Sequence, residues 1–207
     1  STQMKVKGKF ITFEGVDGAG KSTHIDEAIR FIKSKNIKVV RTREPGGTQL
    51  GEKLRDLLLH DEMDAETETL LMFAARKQHI TEVIKPALEE GAFVVSDRFT
   101  DATYAYQHGG KHVIYSKIET LEAWVHPDLK PDLTLLFDLP VEVSMERLRS
   151  NRAPDKFEKE TEIFFNRLRN VYLDLARQHP NRFRVIDANQ SIELVSQDVI
   201  RAISSIL

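Results

Sequence analysis

The sequence predicts an α/β fold in which a parallel sheet of five strands carries helices on both faces. Two observations predict it. Five short apolar runs of strand length alternate along the chain with longer segments of helical periodicity, which is typical of a parallel sheet with helical connections. The chain of 207 residues contains no repeat, low-complexity tract or long linker. We therefore expect a single domain with one substantial core.

Each predicted strand is a short apolar run bounded by polar or turn residues. Because helices separate these runs, they indicate a parallel sheet that is covered on both faces. The five runs are residues 9–14, 37–41, 92–96, 133–138 and 183–186.

Helical periodicity separates these runs. The first helix is predicted over residues 20–35, because Ile25, Ala28, Ile29 and Ile32 share one face. The others are predicted over residues 50–59, 66–90, 115–126, 140–150, 157–178 and 191–206. We expect the long segment 66–90 to bend or break near Pro86, since proline lacks an N–H group and clashes with the preceding turn.

The composition excludes several classes of function. A formal charge of −2 gives no electrostatic footprint for nucleic acid or an anionic membrane, so we expect neither as a partner. The absence of cysteine excludes disulfides, zinc–thiolate sites and thiol nucleophiles, and fits a reducing compartment. The first residues lack a signal-peptide core, and no run approaches the ~20 apolar residues that span a bilayer. We expect a cytoplasmic protein.

A glycine-rich loop follows the first strand. It reads Gly15-Val16-Asp17-Gly18-Ala19-Gly20-Lys21-Ser22-Thr23, the spacing of a P-loop between a strand and a helix. The glycines let the backbone approach a polyphosphate, and the amides of residues 18–23 can form an anion-binding nest at the helix N-terminus. The Lys21 ammonium can reach the β- and γ-phosphates, and the Ser22 hydroxyl is placed to ligate Mg²⁺. The loop predicts a nucleoside triphosphate site.

Charged residues also end the other predicted strands. They are Arg41, Arg43 and Glu44, then Asp97 and Arg98, then Asp138 and Asp187. Any one of them is explained by a solvated strand end, but ligand groups gather beyond the carboxyl ends of parallel strands, so together they indicate an active-site rim. The guanine-reading pattern Asn-Lys-x-Asp is absent from the sequence, which disfavours a regulatory GTPase.

Four motifs carry a resemblance to a known family. They are Phe13-Glu-Gly-Val-Asp-Gly-Ala-Gly-Lys-Ser-Thr23, Thr42-Arg-Glu-Pro-Gly-Gly-Thr48, Phe73-Ala-Ala-Arg76, and Asp97-Arg-Phe99 with Ala105-Tyr-Gln107. In order and spacing the chain resembles the thymidylate kinase (dTMP kinase) family over about residues 9–190. The resemblance implies a P-loop NTPase fold, ATP- and Mg²⁺-dependent phosphorylation of dTMP to dTDP in dTTP biosynthesis, and a homodimer.

The resemblance also implies roles around the phosphates. Asp17 matches the carboxylate that receives the deoxyribose 3′-hydroxyl, and the Glu44-Pro45 turn shapes the monophosphate loop. Arg98 matches the arginine that bridges the monophosphate and the transferred group, and Arg55 matches a second monophosphate contact. Planar guanidinium suits both positions because it pairs with two phosphate oxygens at once. Asp97 either holds Mg²⁺ through water or orients Arg98, and the pattern leaves both open.

A second set of residues matches the thymine site. Arg76 corresponds to the residue that reads the base edge, and Thr103 and Gln107 to further base contacts. The family position that stacks on thymine is usually Phe, but here it is Met72, with Phe73 beside it. Because residues four apart share a helical face, we expect Met72 rather than Phe73 to face the base next to Arg76.

The resemblance places the remaining ATP contacts near the C-terminal part of the chain. Some members carry a catalytic arginine inside the P-loop, where this chain has Gly18 and Ala19, so we expect the bacterial subclass that supplies it from a lid. The lid is predicted at about residues 149–156, with Arg149 and Arg152 as the catalytic candidates. Asn189, after the last strand, matches the adenine-contacting segment.

Two alternatives stay open. One is a kinase for another nucleoside monophosphate or a deoxynucleoside, which would have no reason to combine Arg76, Thr103 and Gln107. The other is a non-catalytic P-loop module that binds ATP, which would need no second phosphate site. The plain explanation for Arg55 and Arg76 is a surface salt bridge on a helix. For the lid arginines it is solvated charge at a helix end.

Overall fold

Five parallel strands form the centre of the structure, a computed structural model that describes residues 6–149 and 156–207, with backbone alone for 156–160. The strands are β1 Phe10–Glu14, β2 Val39–Arg43, β3 Phe93–Asp97, β4 Leu133–Asp138 and β5 Phe183–Asp187. Their order across the sheet is β2-β3-β1-β4-β5, and all four neighbouring pairs are parallel. The predicted α/β class with a five-stranded parallel sheet is therefore confirmed.

Helices connect the strands. They are α1 Lys21–Ser34, α2 Gln49–His60, α3 Ala65–His79, α4 Lys85–Glu89, α5 Thr100–Thr103, α6 Tyr115–Val125, α7 Val141–Leu148, α8 Lys156–Gln178 and α9 Ile192–Ser204. In the described ranges, none of the helices combines the length and apolarity that a bilayer crossing requires.

The core lies on both faces of the central strand β1. Ile11 and Phe13 are fully buried and pack in one cluster with α1 and α9. Phe10 lies on the opposite face, where its ring contacts the ring of Phe99 at a centroid distance of 4.9 Å. Burial on both faces explains why β1 carries the apolar residues Phe10, Ile11 and Phe13 on its two sides.

Two elements differ from the sequence-based expectation. β2 begins and ends two residues later than predicted, because its register pairs Val39 with Phe93 and Arg43 with Asp97. The predicted long helix is interrupted by a π-helical segment, Ile80–Ile84, between α3 and α4 and close to Pro86. A π-turn accommodates a residue that cannot continue the regular hydrogen-bond ladder.

A second π-helical segment, Tyr104–Gly110, was not expected, because two glycines close together disfavour helix. Here the glycines permit close packing against α8. A Cβ at Gly110 would lie 2.5 Å from the ring of Phe164. The Arg167 guanidinium donates to the carbonyls of Gly109 and Gly110 at 3.0 and 3.1 Å. Tertiary contact therefore overrides local propensity.

Candidate active site

The P-loop connects β1 to α1 and opens at the helix N-terminus. Gly15 has φ 142°, and a Cβ there would lie 2.6 Å from the carbonyl oxygen of Phe137. Gly20 is the left-handed N-cap of α1, with φ 82°. Only glycine adopts both conformations without strain, so the first amides of α1 stay free to bind an anion.

Lys21 pairs with the last residue of β3. Its Nζ donates to Asp97 Oδ1 at 2.7 Å, because the register that aligns Phe13 with Asp97 brings the end of β3 beside the loop. Burial and the neighbouring Arg98 lower the pKa of Lys21, and Asp97 opposes them. Ser22 is exposed at the next position. A cation and a carboxylate thus meet at the mouth of the P-loop, and the residue that carries the hydroxyl is next to the cation in sequence.

The backbone of Arg98 has the left-handed conformation, with φ 72°, which is uncommon for a residue with a side chain. Hydrogen bonds fix it on both sides. Its N–H donates to Phe13 O at 2.9 Å, and Ser96 Oγ donates to its carbonyl at 2.7 Å. The next N–H, of Phe99, donates to Glu14 Oε1 at 2.7 Å. Such strain is typical of functional positions.

The side chain of Arg98 turns back across the P-loop. Its Nη2 donates to Asp17 Oδ1 at 2.7 Å and to Tyr106 Oη at 2.8 Å. The Asp97 carboxylate accepts a hydrogen bond from Lys21, whereas the Arg98 guanidinium donates to the Asp17 carboxylate. Tyr106 is a contact that sequence reasoning missed.

Glu14 lies fully buried directly beneath the P-loop. Besides its contact with Phe99, it accepts a hydrogen bond from Tyr172 Oη at 2.7 Å. Burial, with a smaller contribution from Asp101, raises the pKa of Glu14 to about 8. Sequence reasoning missed this residue, although a carboxylate that ends an apolar strand was a visible signal.

Next to Arg98 lies a cavity of about 240 Å³ between α2, α3 and the segment Tyr104–Gly110. We call it the acceptor cavity. It brings together eight of the residues predicted to bind substrate: Glu44, Pro45, Arg55, Met72, Arg76, Arg98, Thr103 and Gln107. Arg55 is oriented there by its Nη1, which donates to Pro45 O at 3.0 Å.

Several polar atoms of this cavity have no hydrogen-bond partner. Among the described residues, six side chains carry a buried polar atom of this kind. Four of the six line the acceptor cavity: Arg76 Nη1, Arg98 Nε, Thr103 Oγ1 and Gln107 Oε1. Buried polar groups are nearly always paired, so this concentration indicates that a polar molecule completes the site.

Arg76 is held by a buried network. Its Nε donates to Glu44 Oε1 at 2.6 Å, and His79 Nδ1 contacts Glu44 Oε2 at 2.7 Å. His79 Nε2 in turn lies 2.6 Å from Thr42 Oγ1. Burial alone raises the pKa of Glu44, but Arg76 and His79 outweigh it and the net pKa is lowered. The ionised carboxylate therefore fixes the guanidinium plane.

Met72 and Phe73 occupy different environments. Met72 lines the acceptor cavity, and its Sδ lies 3.7 Å from Gln107 Nε2. Phe73 is 2% exposed and packs in the core, with its ring centroid 4.8 Å from the Arg76 guanidinium carbon. Met72 thus lies at the cavity and Phe73 in the core, where its ring supports Arg76 from the side away from the cavity.

Arg147 of α7 joins the P-loop to the segment after β5. Its guanidinium donates to Gly18 O at 3.4 Å and to Ala188 O at 3.3 Å. Asn189 follows, and its N–H donates to Asp187 Oδ1 at 2.9 Å. Sequence reasoning had passed over Arg147 in favour of later arginines. Arg149 directly follows α7, whereas Arg152 and most of the predicted lid lie outside the described residues.

Comparison with known proteins assigns the family. The family model described as Thymidylate kinase matches residues 13–199. The chain belongs to the thymidylate kinase family. A thymidylate kinase of Methylobacillus flagellatus is 61% identical over 195 residues, which cover 94% of this chain and 96% of that protein. One of Cupriavidus pinatubonensis is 60% identical over 203 residues, covering 97% and 100%.

A solved member of the thymidylate kinase family has the same architecture. The crystal structure of thymidylate kinase from Ehrlichia chaffeensis superposes with a TM-score of 0.79 at 34% identity, covering 96% of this chain and 99% of that one. The resemblance that the four motifs carry, and the P-loop NTPase fold it implied, are therefore confirmed.

Proposed function

We propose that the chain transfers the γ-phosphoryl group of ATP to dTMP, giving dTDP and ADP. The observation that carries this proposal is the position of Arg98, which lines the acceptor cavity and contacts Asp17 in the P-loop. One guanidinium would thereby lie between the triphosphate site and the acceptor cavity. Membership of the thymidylate kinase family supports dTMP as the molecule that fills the cavity.

The base end of the cavity would hold thymine. Arg76, Thr103 and Gln107 supply its unpaired polar atoms, and Met72 supplies an apolar wall. A small apolar cavity with a few fixed polar groups is the usual form of a specific small-molecule site. Asp17 is exposed at the mouth of the P-loop, where it would receive the 3′-hydroxyl.

The phosphate end would be held by Arg98 and Arg55. A phosphate dianion is already a nucleophile at neutral pH, so no general base is required. The task of the protein is to bring two anions together in line and to neutralise charge in the transition state. Lys21 and Arg98 would supply that neutralisation, and an arginine in such a role is worth about 10³–10⁵ in rate.

The site suits Mg²⁺ delivered with ATP. Among the described residues, no cluster of three or more His, Asp or Glu could hold a metal by itself. Ser22 and Asp97 provide a hydroxyl and a carboxylate on either side of Lys21, and Mg²⁺ typically takes only one or two protein oxygens beside phosphate oxygens and waters. Bound there, the ion would neutralise charge on the β- and γ-phosphates.

The lid and the adenine site complete the proposal. Arg149, at the start of the predicted lid, and Arg152 within it would close over the phosphates and exclude water. Arg147 contacts the carbonyls of Gly18 in the P-loop and of Ala188, and this contact supports an adenine site beside Arg147 and Asn189.

We further propose a homodimer. Large apolar side chains are exposed on α2, α3 and α6, and these helices pack on one another in the order α2-α3-α6. They include Leu50, Leu57, Leu70 and Trp124, the last 79% exposed. Analytical ultracentrifugation tests this, with Trp124→Glu expected to shift the chain towards monomer. The cytoplasmic location stays a prediction.

The reaction is tested by ADP release from ATP·Mg²⁺ with dTMP, dUMP, dCMP, dGMP or AMP as acceptor. We expect strong dependence on dTMP. Turnover with another acceptor would support kinase activity but overturn the assignment of thymine to the acceptor cavity. Acceptor-independent ATP binding without turnover would favour a non-catalytic module.

A further inference from the structure

Gln107 is 1% exposed, and its two amide atoms are in different situations. The nitrogen, Nε2, donates to Glu68 Oε1 at 2.7 Å and lies 3.7 Å from Met72 Sδ. The oxygen, Oε1, is buried without a partner, and the residue lines the acceptor cavity. The amide therefore presents an acceptor, not a donor, as its unused group.

Glu68 is what sets this orientation. The two ends of a side-chain amide are nearly the same in shape, so the neighbours decide which way it points. An ionised carboxylate only accepts hydrogen bonds, which requires the nitrogen of Gln107 to face it. Lys111 Nζ contacts both oxygens of Glu68, at 2.7 and 2.9 Å, and holds the carboxylate in place.

The orientation selects among pyrimidines. Thymine and uracil carry an N–H at ring position 3 and a carbonyl oxygen at position 4, whereas cytosine carries an unprotonated nitrogen and an amino group. Gln107 Oε1 can accept from the N–H at position 3, and Arg76 Nη1 can donate to the oxygen at position 4 of thymine or uracil. With cytosine, the oxygen of Gln107 would face an unprotonated nitrogen and the N–H of Arg76 would face an amino group. Leaving buried groups unpaired is how such a site rejects the wrong molecule.

We propose that Glu68 is a specificity-determining positioning residue, which directs the Gln107 carbonyl into the acceptor cavity and thereby favours thymine over cytosine. The inference rests on the proposed function, because it takes the acceptor cavity as the nucleobase site. Glu68 also lines the acceptor cavity, and its proposed effect on specificity acts through the hydrogen bond that it accepts from Gln107.

The test compares kcat/KM for dTMP and dCMP in three proteins. Glu68→Gln replaces the carboxylate by an amide that can donate or accept, so Gln107 can turn. We expect the preference for dTMP over dCMP to fall about tenfold to a hundredfold, with kcat for dTMP changed less than about threefold. Glu66→Gln is the matched control, because Glu66 lies on the same helix in an exposed pair with Lys117 and outside the acceptor cavity.

The outcomes separate the inference from the function. A preference that stays within twofold of the unaltered protein, or equal losses for both substrates, would overturn the role of Glu68. If Glu68→Gln fails to fold, Glu68→Asp serves instead, because it withdraws the carboxylate by one methylene. We expect it to lower the ratio of kcat/KM for dTMP to that for dCMP. An unchanged ratio in Glu68→Asp would also overturn the role of Glu68. Absence of dTMP turnover in the unaltered protein would instead overturn the proposed function.

Discussion

Glu44 and Arg76 form a buried ion pair between the end of β2 and α3, with Arg76 Nε donating to Glu44 Oε1 at 2.6 Å and both side chains 4% exposed. The pair orients a guanidinium whose other end, Nη1, is unpaired beside the acceptor cavity. The buried charge of Arg76 is thus balanced by a second buried charge, that of Glu44.

Glu44→Gln should destabilise the fold because it leaves the Arg76 charge buried without a counter-charge. Removing one partner of a buried pair costs about 3–5 kcal/mol, which urea unfolding at pH 7 would measure. The control Glu66→Gln breaks an exposed pair and should cost less than about 1 kcal/mol. Equal losses in the two variants would show that the buried pair does not stabilise the fold.

The effect of Glu44→Gln on stability should depend on pH. The pKa of Glu44 is lowered in the fold from its ordinary value of 4.5, so its stabilising contribution is present above that value. It is lost as the pH falls through the lower folded pKa. The stability difference between the unaltered protein and Glu44→Gln should therefore shrink below pH 4.5. A difference that is constant with pH would contradict this account.

Arg98→Ala should reduce kcat by about 10³-fold or more, since it removes the guanidinium between the two phosphate sites. ATP affinity should change only a few-fold, because the P-loop amides and Lys21 remain. Single-turnover kinetics and ATP titration measure the two effects. Arg201→Ala, in an exposed pair on α9, is the control. A variant that retains more than about a tenth of the activity would contradict the proposed role of Arg98 in phosphoryl transfer.

Met72→Phe should keep or improve dTMP affinity, because an aromatic ring at this wall can stack on the base. Calorimetric titration of dTMP measures it. The neighbouring Phe73→Leu should instead lower the free energy of unfolding, by about 1–3 kcal/mol, since Phe73 packs in the core. Loss of dTMP binding in Met72→Phe, with Phe73→Leu unaffected, would reverse the assignment of the two residues.

Glu14→Gln should alter how stability depends on pH. Burial raises the pKa of Glu14 from 4.5 to about 8, so between these values the folded protein keeps a proton that the unfolded chain releases. Stability therefore falls with rising pH over this interval, by up to about 1.4 kcal/mol per unit. Gln does not titrate, so the free energy of unfolding of the variant, relative to that of the unaltered protein, should rise up to about pH 8 and then stay constant. A difference in free energy of unfolding between the two proteins that does not change with pH would contradict the raised pKa of Glu14.

The sequence predicted the P-loop and most of the acceptor cavity because their signals are local. Glycine spacing defines the loop, and the motifs that contain Arg76, Arg98 and Gln107 are short and specific. Their roles as substrate contacts remain predictions. The bounds of β2 shifted because register is set by pairing with β3, and apolar content alone does not fix it.

The supporting residues could not be predicted because their partners are distant in the chain. Glu14 meets Tyr172 across 158 positions, and Glu44 meets His79 across 35. The orientation of Gln107 likewise depends on Glu68, 39 positions earlier. Sequence patterns locate groups that contact a ligand more readily than groups that hold those contacts in place.

The most direct measurement is a crystal structure of the chain with dTMP bound. We expect thymine in the acceptor cavity, within hydrogen-bond distance of Arg76 Nη1 and Gln107 Oε1, and the phosphate at Arg98. A dTMP molecule bound elsewhere, or a base that leaves those two atoms unpaired, would contradict this expectation.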